Sequence, residues 1–365
     1  MSFSTDHPNP GLEVTEHHTI SVVNKPIAQP GKNQVLVHTR ACGICGSDVH
    51  FWKMGQIGEL KVEGKCILGH EACGDIVAVG EDVTRVKVGD RVAVEPQLPC
   101  GKCYLCMQGD YNLCQDVEFS SVYPYDGFMQ RFKVHSERFV HKIPDKMTYA
   151  QGALVEPVSV GYHGIERSAI QLGKPAMVAG AGPIGLCTLA LAKAAGATPL
   201  LITDISEKRL AFAKEMFPDV MTYQIDTKKT NWENAQAIRA LYGEGEYVQP
   251  QCTLECTGIE SSIVTCGFVT RRAGCLTVIG VGKGDINNFP FMHLSLAEID
   301  VKFINRYHDS WPACINLIAN KVIDVDALVT HRFPIEKADE AMAVSSDPSN
   351  GNIKVMITDD YEVKN

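Results

Sequence analysis

Four cysteines in the first half of the chain have the spacing of metal ligands. The pattern is Cys-x2-Cys-x2-Cys-x7-Cys, formed by Cys100, Cys103, Cys106 and Cys114. Four thiolates fill the tetrahedral shell of a zinc ion and leave no position for a reactant, so a site of this kind is structural. The alternatives are incidental burial of four cysteines and an iron–sulfur cluster, whose ferredoxin run has about three residues before a last cysteine that proline follows. Because seven residues precede Cys114 and Gln115 follows it, we predict structural zinc.

Three further segments carry side chains that suit a catalytic zinc ion. The segments are Gly43–His50 with Cys45, Gly69–Glu71 with His70 and Glu71, and Ala153–Pro157 with Glu156. A catalytic zinc takes about three protein ligands and keeps one position for water or substrate. Each side chain alone is weak evidence, because a lone cysteine is usually a small buried hydrophobic residue. Only their combination indicates a metal site.

A glycine fingerprint marks the second half of the chain as a dinucleotide-binding unit. The segment Gly180-Ala181-Gly182-Pro183-Ile184-Gly185 follows a predicted strand and opens a predicted helix. Its glycines permit a tight turn, close approach of a pyrophosphate and close helix–strand packing, and the helix N-terminus attracts the phosphates. Asp204 stands 19 residues past Gly185, where an acidic residue binds a ribose 2′-hydroxyl and favours NAD over NADP. Arg209 is either a solvated helix residue or a second contact to the adenosine ribose.

Two kinds of secondary structure must position these groups. Up to about residue 155, short β-rich segments alternate with glycine and proline, which predicts a mostly-β unit. From about residue 175, apolar strands alternate with helical segments, which predicts an α/β unit with a doubly wound parallel sheet. The charge-free run Pro175–Ala192 has the minimum length of a membrane span, but its glycines and Pro183 favour a buried strand, turn and helix.

Length and charge restrict the possible functions. The chain has 365 residues, which on a prior of about 150 residues per domain predicts two units. With 34 basic and 43 acidic side chains the net charge is −9, which argues against nucleic acid and anionic membranes as partners. The first residues show neither the basic nor the apolar region of a secretion signal, so we expect a cytoplasmic protein whose 14 cysteines are thiols or metal ligands.

The chain resembles the zinc-dependent medium-chain dehydrogenases. The matching segments are Gly69-His70-Glu71-Ala72-Cys73-Gly74 with Gly80, Val83, Gly89-Asp90 and Val92, the four-cysteine lobe, the Gly180 fingerprint and Leu328–Pro334. Within that family the segments Cys45–Trp52, Glu156-Pro157 and Arg306-Tyr307 are similar to those of the sorbitol, xylitol and L-arabinitol dehydrogenases. The resemblance implies a GroES-like, mostly-β catalytic domain with a structural zinc lobe over residues 1–158 and 303–365, and a Rossmann NAD-binding domain over residues 159–302.

The resemblance also implies roles for individual residues. Cys45, His70 and Glu71 would ligate the catalytic zinc, with Glu156 as an alternative or water-mediated ligand. Ser47 and His50 would relay the released proton, although a local turn hydrogen bond and a surface position are the simpler interpretations of the two side chains. Polar contacts to the substrate would come from Glu156, Arg306 and Tyr307, and the apolar wall from Phe51 and Phe119. An arginine placed like Arg306, just past a strand, is otherwise usually solvated.

The activity that follows is oxidation of a secondary hydroxyl of a pentitol or hexitol to the ketose, with hydride transfer to NAD and two zinc ions per chain. Phe51 replaces the tyrosine usual in sorbitol-type members and favours an L-arabinitol type, and Val122 lacks a hydroxyl common in the group. The alternatives are another medium-chain alcohol or threonine dehydrogenase and, more remotely, a zinc-containing binding protein without enzymatic activity. The resemblance implies a homodimer or homotetramer.

Overall fold

The computed structural model describes residues 3–282 and 284–363, which form two compact units. The first unit comprises the chain up to Glu156, Trp311–Lys321 and the chain from Val325 onward; the second comprises Pro157–Ser310 and Val322–Asp324. The sequence-based boundaries lie at 158 and 303. The second unit extends to Ser310, past the predicted boundary at 303. It does so because the Ile304 N–H donates to the Val278 carbonyl and the His308 ring contacts that of His163. Across the described ranges, no helix combines the length and apolar character needed to cross a membrane.

Short strands make up most of the N-terminal part of the first unit, as predicted. The strands are β1 (Pro10–Thr15), β2 (Ile20–Asn24), β3 (Gln34–Gly43), β4 (Gln56–Ile57), β5 (Leu60–Lys61), β6 (Lys65–Ile67), β7 (Glu71–Val79), β8 (Arg91–Val94), β9 (Gln97–Leu98), β10 (Glu118–Phe119), β11 (Phe132–Ser136) and β12 (Val140–Lys142). The helices are α1 (Gly46–Met54), α2 (Tyr104–Gln108) and α3 (Tyr149–Ala153).

Strands and helices alternate in the second unit. Its elements are α4 (Val155–Arg167), which begins in the first unit, β13 (Ala176–Ala179), α5 (Pro183–Ala194), β14 (Leu200–Asp204), α6 (Glu207–Met216), β15 (Met221–Gln224), α7 (Asn231–Tyr242), β16 (Cys252–Glu255), α8 (Glu260–Val269), β17 (Cys275–Val278), α9 (Phe291–Leu296) and β18 (Asp300–Phe303). The six strands pair in parallel in the order β15-β14-β13-β16-β17-β18. This is the order of a Rossmann fold and confirms the predicted doubly wound sheet.

The charge-free run Pro175–Ala192 is apolar because it is buried within the second unit. All four residues of β13 are buried, as are eight of the twelve residues of α5. A central parallel strand is covered on both faces by helices, so it carries apolar residues on both sides. The predicted strand, turn and helix are therefore the observed ones.

After the second unit the chain returns to the first and completes its main sheet. The returning elements are α10 (Trp311–Ala319), β19 (Val329–Pro334), α11 (Ala338–Ser346) and β20 (Lys354–Thr358). The sheet has the order β12-β8-β7-β3-β20-β19, with β11 also paired to β3. Strand β20 lies antiparallel to β3, with Met356 opposite Gly43. This pairing places the C-terminal strand beside the segment that leads into Cys45.

Candidate metal centres and dinucleotide site

Cys45, His70 and Glu71 come together at one end of the main sheet of the first unit. Strand β3 ends at Gly43 directly opposite Glu71, the first residue of β7, so the pairing brings the two chain segments into contact. One ligand atom from each of the three side chains lies within 4.8 Å of the others. His70 and Glu71 are buried and Cys45 is half-buried. One thiolate, one imidazole and one carboxylate are a suitable donor set for zinc.

The buried carboxylate of Asp48 contacts both Cys45 and His70, two of the three clustered residues. It is fully buried, and its carboxylate accepts hydrogen bonds from the Cys45 N–H at 2.9 Å and from the Ser121 hydroxyl at 2.8 Å. Its Oδ1 atom lies 3.5 Å from Nδ1 of His70. Burial lowers the pKa of His70, but the charge of Asp48 outweighs it and holds that pKa well above its ordinary value. A carboxylate that keeps a proton on Nδ1 leaves Nε2 for a metal ion.

Glu71 is shared between a lysine and the cluster. Its Oε1 atom accepts a hydrogen bond of 2.6 Å from the Lys354 ammonium, and both side chains are buried. Burial lowers the pKa of Lys354, but Glu71 outweighs it and raises that pKa above its usual range. The other oxygen, Oε2, is buried without a hydrogen-bond partner among the described residues. A buried carboxylate oxygen without a partner is costly, and a cation beside it removes that cost, so these residues fit a bound metal.

The other predicted active-site residues differ in how far they are exposed to solvent. Ser47 is half-buried with its hydroxyl 3.4 Å from Nε2 of His70, whereas His50 is exposed. The Phe119 ring is buried and lies 5.5 Å from the His70 ring, centroid to centroid. Phe51 is buried and belongs to a hydrophobic core cluster of the first unit, and its contact with a substrate stays a prediction.

Glu156 and the pair Arg306-Tyr307 belong to different units. Glu156 is buried in the first turn of α4 and is not one of the three clustered ligands, although its charge acts on Lys354. Arg306 and Tyr307 lie in the second unit, where Arg306 is half-buried with a positive φ of 54° and Tyr307 is fully buried. Their contact with a substrate stays a prediction.

The four-cysteine lobe has the dimensions of a single-ion site. All four Sγ atoms lie within 4.8 Å of one another, with Cys103–Cys106 at 3.5 Å and Cys100–Cys106 at 4.0 Å. A tetrahedron with zinc–sulfur bonds of 2.3 Å has edges of about 3.8 Å. Backbone N–H groups of Lys102 and Cys103 lower the pKa of Cys100 to about 7, which favours its thiolate, whereas burial and the hydrogen bond with Cys103 raise the pKa of Cys106 to about 12. The lobe therefore fits one tetrahedral ion.

The glycine fingerprint adopts the turn that a pyrophosphate requires. Gly180 has a φ of 99°, and a Cβ atom there would lie 2.7 Å from Cγ2 of Thr257. A Cβ atom on Gly185 would lie 1.8 Å from the Gly180 carbonyl oxygen. Gly182 precedes α5 and Pro183 is its first residue, so the free N–H groups of that helix begin at the turn. Ile184 follows, half-buried.

Asp204 closes this turn from the end of the neighbouring strand β14. Its two carboxylate oxygens accept hydrogen bonds from the N–H groups of Ala181 and Ser206, each at 2.8 Å. A carboxylate oxygen can accept more than one hydrogen bond, so both retain capacity for a ribose hydroxyl. A Cβ atom on Gly182 would lie 4.0 Å from the Arg209 guanidinium, which places that group beside the phosphate turn rather than in bulk solvent.

Three residues that shape the metal cluster have no role predicted from the sequence: Asp48, Ser121 and Lys354. Asp48 stands three residues past Cys45, where an acidic residue caps a helix start, and that local signal could have identified it. Ser121 lies 73 residues from Asp48, and Lys354 lies 283 residues from Glu71, so no local sequence pattern predicts these contacts.

Two family models match the chain, one in each half. Residues 31–145 match the alcohol dehydrogenase GroES-like domain, and residues 183–320 match the zinc-binding dehydrogenases. L-arabinitol 4-dehydrogenase of Aspergillus oryzae is 46% identical over 97% of this chain and 96% of its own. Sorbitol dehydrogenase of Mus musculus is 42% identical over 95% of this chain and 94% of its own. The crystal structure of L-idonate 5-dehydrogenase from Escherichia coli superposes with a TM-score of 0.86 at 27% identity, covering 96% of this chain and 98% of that one.

These findings confirm the resemblance. The GroES-like and Rossmann units define a zinc-binding dehydrogenase. The chain belongs to the zinc-dependent medium-chain dehydrogenase family and, at this identity over nearly its whole length, to the polyol dehydrogenase group.

Proposed function

We propose that this protein oxidises a secondary hydroxyl of a pentitol or hexitol, of the L-arabinitol or sorbitol type, to the ketose with hydride transfer to NAD. The observation that carries the proposal is the cluster of Cys45, His70 and Glu71, in which a buried carboxylate oxygen has no hydrogen-bond partner within residues 3–282 and 284–363. The relatives named L-arabinitol 4-dehydrogenase and sorbitol dehydrogenase support the substrate class.

Cys45, His70 and Glu71 are the residues that would hold the catalytic zinc, with Glu156 as the alternative or water-mediated ligand. Bound zinc supplies Lewis acidity, which lowers the pKa of a coordinated hydroxyl towards neutrality. The chain's own contribution is to fix the donors. Asp48 orients His70, and Lys354 binds Oε1 of Glu71, which leaves Oε2 for the metal.

The released proton needs a route to solvent, and we assign Ser47 and His50 to it. The two residues are three positions apart on α1, so their side chains are neighbours on the helix surface. Ser47 lies beside His70, and exposed His50 reaches water. A hydroxyl followed by an imidazole can pass a proton outward by successive hydrogen bonds.

Phe119 supports the proposed apolar wall because its ring faces His70. We keep Glu156, Arg306 and Tyr307 as polar contacts to the successive hydroxyls of a polyol, which needs several polar groups besides the metal. We keep Phe51 as a second residue of that wall, and the resemblance makes its phenylalanine side chain a feature of L-arabinitol-type members.

The first unit would carry the metal chemistry, and the second would bind the dinucleotide. The residues that would bind NAD are Gly180, Gly182, Pro183, Ile184, Gly185, Asp204 and Arg209. The second zinc would occupy the four-cysteine lobe. Thiolate ligands are lost on oxidation, so we place the protein in the reducing cytoplasm. The family resemblance supports a homodimer or homotetramer.

A substrate panel with metal analysis tests this function. Purified protein should contain about two zinc ions per chain and should reduce NAD with L-arabinitol, xylitol, sorbitol or galactitol at a higher kcat/KM than with ethanol or threonine. Preference for ethanol or threonine would identify a different dehydrogenase. Absence of NADH formation with every alcohol, at full zinc content, would reject an enzymatic role.

The variant Cys45→Ser, compared with Cys73→Ser, tests the metal site. Cys73 is a buried cysteine on β7 outside the ligand cluster, so its replacement controls for loss of a buried thiol. We expect Cys45→Ser to lose the zinc of one site and nearly all turnover, while Cys73→Ser keeps both zinc ions. Full kcat in Cys45→Ser would reject the assigned ligand set.

A further inference from the structure

A buried carboxylate at the end of β16 has no part in the chemistry described above. Glu255 is fully buried, and its carboxylate accepts hydrogen bonds from the turn and helix start that follow it. Its Oε1 atom accepts from the Thr257 N–H at 2.8 Å, from the Thr257 hydroxyl and from the Ser262 hydroxyl at 2.8 Å. Its Oε2 atom accepts from the Gly258 N–H at 2.9 Å. In the part of the chain that the structure describes, neutral donors rather than a cation hold this charge.

The turn that Glu255 holds lies between two other glycine turns. On one side, Cγ2 of Thr257 blocks the Cβ position of Gly180, the first glycine of the fingerprint, at 2.7 Å. On the other side, a Cβ atom on Gly258 would lie 2.3 Å from the carbonyl carbon of Val281, in the turn after β17. Gly258 has a φ of 70°, so the turn tolerates no side chain there. The turns that follow three strands therefore lie in close contact.

This position is the topological switch point of the sheet. Strand β13 pairs with β14 on one side and with β16 on the other. Ligands of doubly wound sheets bind outside the carboxyl ends of the strands at such a point, with one half of a dinucleotide over each half of the sheet. Asp204 ends β14 and marks the adenosine half. Strand β16 begins the other half, which takes the nicotinamide.

We propose that Glu255 is a positioning residue that holds the Thr257–Gly258 turn as the nicotinamide-side wall of the dinucleotide cleft. The inference rests on the NAD binding proposed above. A buried carboxylate is costly to maintain, and two acceptor oxygens are needed to bind the three donors of the turn together with the Ser262 hydroxyl of α8. The competing explanation is that Glu255 only secures the start of α8, through Ser262, and has no effect on cofactor binding.

Binding of NADH and of AMP to zinc-loaded protein separates the two explanations. Glu255→Gln keeps the shape of the side chain, but its amide nitrogen faces N–H or O–H donors, so the turn loses its anchor. We expect the Kd for NADH, measured by fluorescence titration, to rise tenfold or more. The Kd for AMP, measured by calorimetry, should change less than twofold, because AMP occupies only the Asp204 half. Ser262→Ala is the matched control, because it removes one donor outside the turn, and both Kd values should change less than threefold.

Two outcomes overturn the inference: an unchanged Kd for NADH, or equal losses of NADH and AMP binding. If Glu255→Gln does not fold, Thr257→Val decides the matter, because it removes one hydrogen bond to Glu255 and keeps the methyl group that contacts Gly180. It should raise the Kd for NADH threefold or more and leave AMP unaffected, and an unchanged Kd for NADH rejects the proposal. A wild-type protein that binds neither AMP nor NADH rejects the proposed NAD function itself.

Discussion

The Lys354 ammonium lies 2.6 Å from the Glu71 carboxylate, although 283 residues separate the two in the chain. Both side chains are buried, and Lys354 Nζ also donates to the Ile44 carbonyl at 3.0 Å, one residue before Cys45. The last strand of the protein therefore inserts a cation beside a proposed metal ligand. The ion pair holds Oε1 of Glu71 and leaves Oε2 for the metal. Removal of the lysine should affect both folding and metal binding.

Replacement of Lys354 by methionine should destabilise the protein by about 3–5 kcal/mol, because it leaves the buried Glu71 carboxylate without its partner. The double variant Lys354→Met/Glu71→Gln should recover part of that loss, since no unpaired charge remains. Urea unfolding of the metal-free protein measures both. Lys354→Arg, which retains the charge, is the control. Additive effects of the two single substitutions would show that the ion pair carries no coupling.

Asp48→Asn should weaken zinc binding at the Cys45 site by about 10–100-fold, because the residue that orients His70 loses its charge. Competition with a chromophoric chelator measures the affinity independently of turnover. The amide still accepts one hydrogen bond, from Ser121 or from the Cys45 N–H, so the fold should persist. Ser121→Ala serves as the control and should cost less than Asp48→Asn. Equal zinc affinity in Asp48→Asn and the wild type would contradict the orienting role.

The parts of the site that sequence predicted are those encoded locally. The four cysteines lie within one short lobe, and the glycine fingerprint lies between one strand and one helix, so their spacing alone specifies which atoms meet. Alternation of strands and helices likewise predicted the parallel sheet, because each βαβ unit is a local pattern.

Contacts that depend on strand pairing between distant segments were not predictable. Lys354 reaches Glu71 only because β20 pairs with β3 and β3 pairs with β7. Nothing in the sequence predicts a role for Glu255, since its donors come together only when the following turn is folded.

Cys106→Ser should remove one zinc ion per chain and destabilise the four-cysteine lobe, because a structural metal contributes its binding energy to folding. Metal analysis should change from about two zinc ions to about one, and limited proteolysis should cut first within residues 100–114. The control is Cys252→Ser, a buried cysteine of the second unit. Two retained zinc ions in Cys106→Ser would reject the structural site.

His135 should make the protein less stable as the pH falls below 6.5. Burial lowers the pKa of His135 to about 3, and its Nε2 donates to the Glu95 carbonyl at 2.9 Å. The folded state thus favours the neutral ring, so the stabilisation present above pH 6.5 decreases as the pH falls towards 3. Between pH 7.5 and 5.5 this residue should cost about 1.4 kcal/mol. His135→Gln should lose that component in urea unfolding, whereas exposed His17→Gln should retain it. An identical pH dependence in His135→Gln and the wild type would refute this assignment.

Asp204→Ser should shift the cofactor preference from NAD towards NADP. The Asp204 carboxylate would repel a 2′-phosphate, while serine removes that charge and the nearby Arg209 guanidinium can then attract the phosphate. The ratio of kcat/KM for NADP to that for NAD should rise about tenfold or more, since loss of a like charge at close range is worth at least 1.4 kcal/mol. Glu207→Gln, at the exposed start of α6, removes an equal charge nearby and should leave the ratio within about twofold. Equal ratios in Asp204→Ser and Glu207→Gln would mean that Asp204 does not contact the ribose.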